Sequence, residues 1–367
     1  MPTSSTLLFS LLRSALWPTE EASAPFARLS ATAWQEIYTL SVAQGVLALA
    51  YEGLLRLPHE AQPPRPLKIQ WAYNVECIEK RYEQQRRSAT EFAELYAQQH
   101  IRTLVLKGFG LSGYYPVPAH RPSGDLDCYL YGDYERGNRL MELAGAAVQR
   151  DFYKHSHITY RGLSIENHQY CIAIRGSRKM KELERYLERL LHEDPAPQCF
   201  ENTQLLLPPA EFNALFLTKH ALGHFVSEGL NVKQLCDWAL FLSAEQNNID
   251  FKRFYAHCDH FGFRTFVDAV TALAVTQLGL AVTNRDITTT SPHAEKIMDD
   301  MLHHRTPVFS TSEGVWRSRV ALIRNMIANR WRYREICGTN ALWEVVKFAF
   351  FFLFERHPKL GSNGISC

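Results

Sequence analysis

The chain has 367 residues, 46% of them hydrophobic and 21% charged, with a formal net charge of +2. That length exceeds one average domain, and the composition is that of an ordinary soluble globular protein, which excludes disordered and collagen-like classes. A near-neutral charge gives no global pull toward nucleic acid, so any phosphate-binding patch must be local.

In chain order, residues 1–17 carry a short apolar run (Leu7, Leu8, Phe9, Leu11, Leu12) interrupted by Arg13. Without a basic leader or a small-residue cleavage pattern, this predicts a first helix rather than a secretion signal. Residues 61–66, Ala-Gln-Pro-Pro-Arg-Pro, break helix and close an N-terminal helical unit. Residues 67–100 turn helical, with Glu79, Lys80, Arg81, Glu83 and Arg86 spaced between apolar positions.

The texture changes after His100. Thr103-Leu104-Val105-Leu106 predicts a buried strand ending in the tight turn Lys107-Gly108. Gly124 to Leu130 alternates polar and apolar, the period of a strand with one wet face. A helix is expected over 134–148. Two strands, Ile158 to Tyr160 and Leu163 to Glu166, follow with Arg161-Gly162 between them, and then a helix over 179–192. From Pro208-Pro209 onward the period is helical again, with helices expected over 232–244, 251–261, 265–280 and 294–304, and in pieces over 317–354. The expected fold is α+β: a small mixed sheet in 96–205, embedded between an N-terminal helical region, 1–95, and a C-terminal helical domain, 206–367.

Eight cysteines without a Cys-x-x-Cys pair read as reduced thiols in a cytoplasmic protein. The most apolar stretch, 345–354, is about half the ~20 residues that a bilayer span needs and contains Lys347, so a buried closing helix is expected and a membrane partner is not.

Asp125 and Asp127, one residue apart on a strand, project from the same face. Carboxylate oxygens together with phosphate oxygens suit Mg²⁺ (or Mn²⁺). Two such ions ~3.5–4 Å apart can activate an attacking hydroxyl and neutralise a departing pyrophosphate. Glu166, at the end of the later strand, is the candidate third acid. Upstream, the Lys107-Gly108 turn offers close backbone approach and a charge to phosphate, and Arg121 and Ser123 supply a guanidinium and a hydroxyl just before Gly124-Asp125.

Taken in order, Leu104-Val105-Leu106-Lys107-Gly108, then Tyr115-Pro116, then Arg121-x-x-Gly124-Asp125-Leu126-Asp127, resemble the uncharacterised nucleotidyltransferase family of the DNA polymerase beta-like superfamily. Ile165-Glu166-Asn167-His168 is similar to that family's acid-hydrophobic-His stretch, with Asn167 in the hydrophobic place. Lys219-His220-x-x-x-His224 followed by Leu235-Cys236-Asp237-Trp238 is similar to its later helical pattern. The turn departs from the superfamily's Gly-Ser, since Lys107-Gly108-Phe109 brings no hydroxyl. The resemblance implies catalytic and metal-holding Asp125, Asp127 and Glu166, and a nucleoside triphosphate donor on Lys107, Gly108, Arg121 and Ser123. The acceptor side would then involve His168, Lys219, His220, His224 and Asp237.

His220 and His224 share a helix face and make half of a metal site, but no spacing supplies a third ligand. Asp237 is expected to pair with one of them or with Lys219, and His155 and His157 read as surface residues. Two functions stay open: transfer of a nucleoside monophosphate to an unidentified hydroxyl on a small molecule or protein, and a catalytically silent relative that binds nucleotide or partner proteins. The charge argues against a nucleic-acid partner, and the sequence does not set the oligomeric state.

Overall fold

The computed structural model describes residues 3–17, 24–150, 153–193, 197–303, 323–340, 342–344 and 346. Four helices come first: α1 (Ser4–Leu16), α2 (Ala31–Ala43), α3 (Leu47–Leu55) and the long α4 (Arg65–Gln98). Thr3 and Ser30 cap α1 and α2 through their hydroxyls, which accept from Thr6 and Ala33 backbone amides. Helices α1 and α3 cross so closely that Gly53 lies directly on the Leu11 carbonyl.

Helix α4 explains how the helical part meets the sheet. Its first half buries Leu67, Trp71 and Val75 in a large core shared with α1 and α3. Its second half buries Tyr82, Ala89, Phe92, Ala93 and Tyr96 in a smaller core beneath the strands. The apolar stripe keeps the helical period across both.

The strands are β1 (Thr103–Val105), β2 (Leu126–Tyr129), β3 (Ala147–Gln149), β4 (His155–Tyr160), β5 (Leu163–His168) and β6 (Leu205–Leu206), in the order β3-β4-β5-β2-β1-β6. The sheet is mixed: β2 runs parallel to β5 and β1 parallel to β6, while β1–β2, β3–β4 and β4–β5 are antiparallel. The fold is thus the expected α+β, a six-stranded mixed sheet flanked by helices. Arg161 and Gly162, both at positive φ, make the two-residue turn from β4 to β5. One expectation fails here. The helix begun at Tyr134 ends at Leu143 (α5, Tyr134–Leu143) because Gly145 takes φ +81°, and the chain returns as β3.

Leu126, Cys128, Ile158 and Ile165 point to one side of the sheet, onto Phe92, Tyr96 and Met141. The other side faces a helical layer: α6 (Arg178–Glu193), α7 (Ala210–Ser227), α8 (Val232–Glu245), α9 (Phe251–Phe261), α10 (Arg264–Leu278) and α11 (Ala294–His303). This layer and the N-terminal helices share one apolar core, with Leu12 and Ala15 of α1 buried in the same cluster as Leu273 and Leu278 of α10. The expected closing helix, 345–354, lies outside the described residues but for Val346, whereas more than half of the wider segment 317–354 is described. Within it a short π-helix, Arg332–Ile336, buries Arg332 against Asp300. Among the described residues no helix is long and apolar enough to cross a membrane.

Candidate functional site

Period-two alternation decides which side chains share the second face of the sheet. In register, Asp127 sits opposite Glu166 and Tyr129 opposite His168 across β2 and β5. Across β5 and β4, Glu166 sits opposite His157 and His168 opposite His155. Asp125 precedes β2 by one residue, on the same side as Asp127. One acid from β2 and one just before it, an acid and a histidine from β5 and two histidines from β4 therefore form one polar field.

Its contacts are dense. His168 Nε2 lies 3.0 Å from Asp127 Oδ1 and 3.4 Å from Glu166 Oε2. His155 Nε2 is 3.8 Å from Glu166 Oε1 and 3.2 Å from His157 Nε2, and His157 Nε2 is 3.9 Å from the same glutamate oxygen. Burial raises the Asp125 carboxyl, and the charges of Glu166 and Asp127 add to it, against a hydrogen bond with Ser164. Burial works the same way on Glu166, but hydrogen bonding and charge from His168, with His155 and Lys107, outweigh it and hold that carboxyl low. His155 is pushed down to about 3, chiefly by burial, which leaves it a neutral imidazole.

Strand β1 delivers the turn. Lys107 Nζ reaches 3.1 Å from Asp127 Oδ1 and 3.2 Å from His220 Nε2. Gly108 adopts φ +54°, and a Cβ there would stand 3.1 Å from Ser123 Oγ and 3.7 Å from the Asp125 carbonyl, so the turn is laid directly on the segment that leads to the acids. Gly108 begins a 3₁₀ stretch, Gly108–Tyr114, the helix-like run expected after the turn.

Arg121 is buried and spends two donors on Asp237: Nε to Oδ1 at 2.9 Å and Nη2 to Oδ2 at 2.7 Å. Tyr115 donates to the same carboxylate at 2.8 Å. Asp237 of α8 therefore pairs with Arg121 and Tyr115, not with the histidines or Lys219. The third donor arm, Nη1, reaches the Pro122 carbonyl at 3.3 Å.

Between this field and α7–α8 lies a cavity of about 450 Å³, within the size range of small-molecule sites. Lys107, Gly108, Arg121, Ser123, Asp125, Asp127, Glu166, His220, His224 and Asp237 line it, whereas His168 lies behind the wall and Lys219 is not part of the lining. On α7, His224 Nε2 meets His220 Nε2 at 2.9 Å and its Nδ1 meets Glu228 at 3.1 Å. Burial first, then Lys107, drive His220 well below the usual histidine range.

One residue went unread in the sequence and two were misread. Lys233 lines the cavity, and its ammonium is pushed down to about 8 by burial and by Arg121. Its place was marked by the Asn231–Gln234 capping box that opens α8. His155 and His157, expected at the surface, belong to the polar field, and His155 is buried. The signal was their His-x-His spacing, the same period as Asp-x-Asp and Glu-x-His.

A family model described as uncharacterised nucleotidyltransferase matches residues 30–279, which takes in the turn, the acids and the helices that close the cavity. No curated protein and no solved structure matches the chain.

Proposed function

Since the chain belongs to the uncharacterised nucleotidyltransferase family, we propose that it transfers a nucleoside monophosphate from a nucleoside triphosphate to a hydroxyl of a small molecule or a protein. The observation that carries this reading is the register that sets Asp127 beside Glu166, with Asp125 next to them, on the wall of the cavity. Three carboxylates so placed repel one another unless cations intervene, and their hard oxygens fit Mg²⁺ or Mn²⁺. Asp125, Asp127 and Glu166 would hold the metal, which when bound neutralises triphosphate charge and eases loss of the acceptor proton.

The chain's own groups do the rest. Lys107 and Lys233 bring ammonium charge to the cavity, and the Gly108 turn allows phosphate close to the backbone. Arg121, clamped by Asp237, holds the Pro122–Asp125 segment in place through Nη1 on the Pro122 carbonyl, and the second N–H of Nη1 would serve the donor. His220, kept neutral, lies within hydrogen-bond reach of Lys107 and on the helical wall where an acceptor would enter. The free thiols, four of them buried among the described residues, suit a reducing compartment such as the cytoplasm.

The test is incubation of the full chain with each α-labelled triphosphate, Mg²⁺ or Mn²⁺, and cell extract. Labelled product is expected from wild type and not from Asp125→Asn or Asp127→Asn, while both variants keep the wild-type circular dichroism spectrum. Full activity in either variant sinks the proposal. The Lys107–Asp127 contact at 3.1 Å favours one second reading, a relative that binds nucleotide without transferring it; calorimetric nucleotide binding with no labelled product would select it.

A further inference from the structure

The polar field holds more nitrogen than a purely acidic magnesium site requires. One ligand atom each from His155, Glu166 and His168 lies within 4.8 Å of the others. His155 is 5% exposed and His168 1%. Neither histidine lines the cavity, whereas Glu166 does. The trio therefore sits behind the wall that bears Asp125 and Asp127, with Glu166 common to both groups.

The hydrogen bonds of His168 fix what that spot needs. Its Nδ1 faces the Tyr170 carbonyl at 3.2 Å, so Nδ1–H is the donor there. Nε2 then faces Asp127 Oδ1 at 3.0 Å and Glu166 Oε2 at 3.4 Å. Two carboxylate oxygens thus converge on one ring nitrogen, and Lys107 Nζ, 3.1 Å from Asp127 Oδ1, serves the aspartate side. A proton on Nε2 serves one contact at a time, whereas a metal ion takes His168, Glu166 and the neighbouring His155 together. A ring N–H given to a backbone carbonyl while the other nitrogen binds metal is also the usual way a ligating histidine is oriented.

Spacing and charge agree. Ligands at 2.0–2.1 Å from a tetrahedral ion stand about 3.3–3.4 Å apart. His168 Nε2 stands 3.4 Å from Glu166 Oε2 and His155 Nε2 3.8 Å from Glu166 Oε1, and with one atom from each residue within 4.8 Å of the others the three side chains draw inward to close on one ion. Around the site stand the carboxylates of Asp125, Asp127 and Glu166 and the ammonium groups of Lys107 and Lys154, which leaves negative charge for a cation to balance.

We propose that His155, His168 and Glu166 form a site for a first-row transition cation of the zinc class, distinct from the magnesium position at Asp125 and Asp127. Two imidazoles and one carboxylate are the donor set such ions prefer over Mg²⁺. The ion locks Glu166 from behind and fixes the orientation in which its carboxylate meets the cavity. His157, 3.2 Å from His155 and half-buried, stands at the edge of the site. The site shares Glu166 with the proposed transferase centre but depends on no transfer chemistry.

The test uses the full chain, stripped with chelator and titrated with Co²⁺ in excess Mg²⁺. One Co²⁺ per chain is expected, with visible d–d bands of nitrogen and oxygen ligation. Sulfur-to-cobalt charge transfer should be absent, which matters because Cys77 and Cys199 are exposed. His155→Gln should weaken binding about ten-fold or more, and Asp125→Asn should keep it while losing labelled transfer. X-ray absorption on the Zn²⁺-loaded wild type, which needs no variant to fold, should show two imidazoles and oxygen. Failure to bind Co²⁺ stoichiometrically, sulfur in the zinc shell, undiminished binding in folded His155→Gln, or loss of binding in folded Asp125→Asn would each overturn the site. If cobalt binds as described and labelled transfer is never seen, this site stands and the transferase reading alone falls.

Discussion

Asp237→Ala should be among the most damaging single changes in the chain. The aspartate accepts from Arg121 Nε and Nη2 at 2.9 and 2.7 Å and from Tyr115 Oη at 2.8 Å. The side chains of Arg121 and Asp237 are only 7% and 10% exposed, so solvent screening does little to soften the loss. Truncation leaves a guanidinium buried without its counter-ion, a loss of about 3–5 kcal/mol, which is a large fraction of the 5–15 kcal/mol that stabilises a typical domain. The tyrosine hydroxyl loses its acceptor in the same step, so the two effects overlap and do not add. Arg121→Lys keeps the charge but not the fork, and should forfeit most of the same stability. The double change Arg121→Met with Asp237→Leu should recover much of it, because an apolar pair of similar volume replaces a desolvated ionic one. Equilibrium urea denaturation of the wild type, Asp237→Ala, Arg121→Lys and the double variant measures these differences. A loss below about 1 kcal/mol in Asp237→Ala, or a double variant as damaged as the single, would refute the argument and release Arg121 to act chiefly on ligand.

Three further outcomes follow from other buried groups. Lys154 is 5% exposed and held down to about 8, chiefly by burial and by Lys107, so the folded chain binds fewer protons than the unfolded one between that pH and the ordinary lysine value of 10.5. Lys154→Met should therefore be more stable than wild type by about 3 kcal/mol at neutral pH, at 1.36 kcal/mol per pH unit, with the advantage shrinking as pH rises above about 8; urea midpoints that stay parallel across this range would contradict it. His120 meets Glu52 at 2.5 Å and Glu79 at 2.8 Å, and although burial opposes protonation these two hydrogen bonds prevail and raise its pKa. The stability it contributes is full below the unfolded value near 6.5 and lost as pH climbs through the raised folded value, so His120→Gln should remove that part of the pH profile, and an unchanged profile would assign it elsewhere. A Cβ at Gly53 would fall 2.0 Å from the Leu11 carbonyl oxygen, so Gly53→Ala must push α1 off α3 at about 1–3 kcal/mol, read as a lower melting temperature.

How much of this could be read from the chain depended on whether the signal was local. The first helix, the β4–β5 turn at Arg161-Gly162 and the alternation of β2 are set by neighbours within a few residues and stood where the pattern put them, but the face of β2 expected to be wet is buried. The helix expected over 134–148 failed for a local reason as well, since Gly145 at φ +81° ends α5 and frees Ala147–Gln149 to pair with β4. The Arg121–Asp237 clamp was not legible, because it joins residues far apart in sequence that only the packing of α8 against the sheet brings together. His155 and His157 were the instructive miss. Taken alone, a His-x-His pair on a strand implies nothing more than one wet face. The meaning lies in its repetition. Asp125 and Asp127, Glu166 and His168, and His155 and His157 all repeat at the strand period, and once β4, β5 and β2 pair in register the three couples must fall on one face. Burial of that face is then decided by the helices above it, which no periodicity within a strand can report. A sheet that gathers three acids and three imidazoles on a covered face carries a charge that only cations can settle, and that requirement rests on the register, not on any single motif.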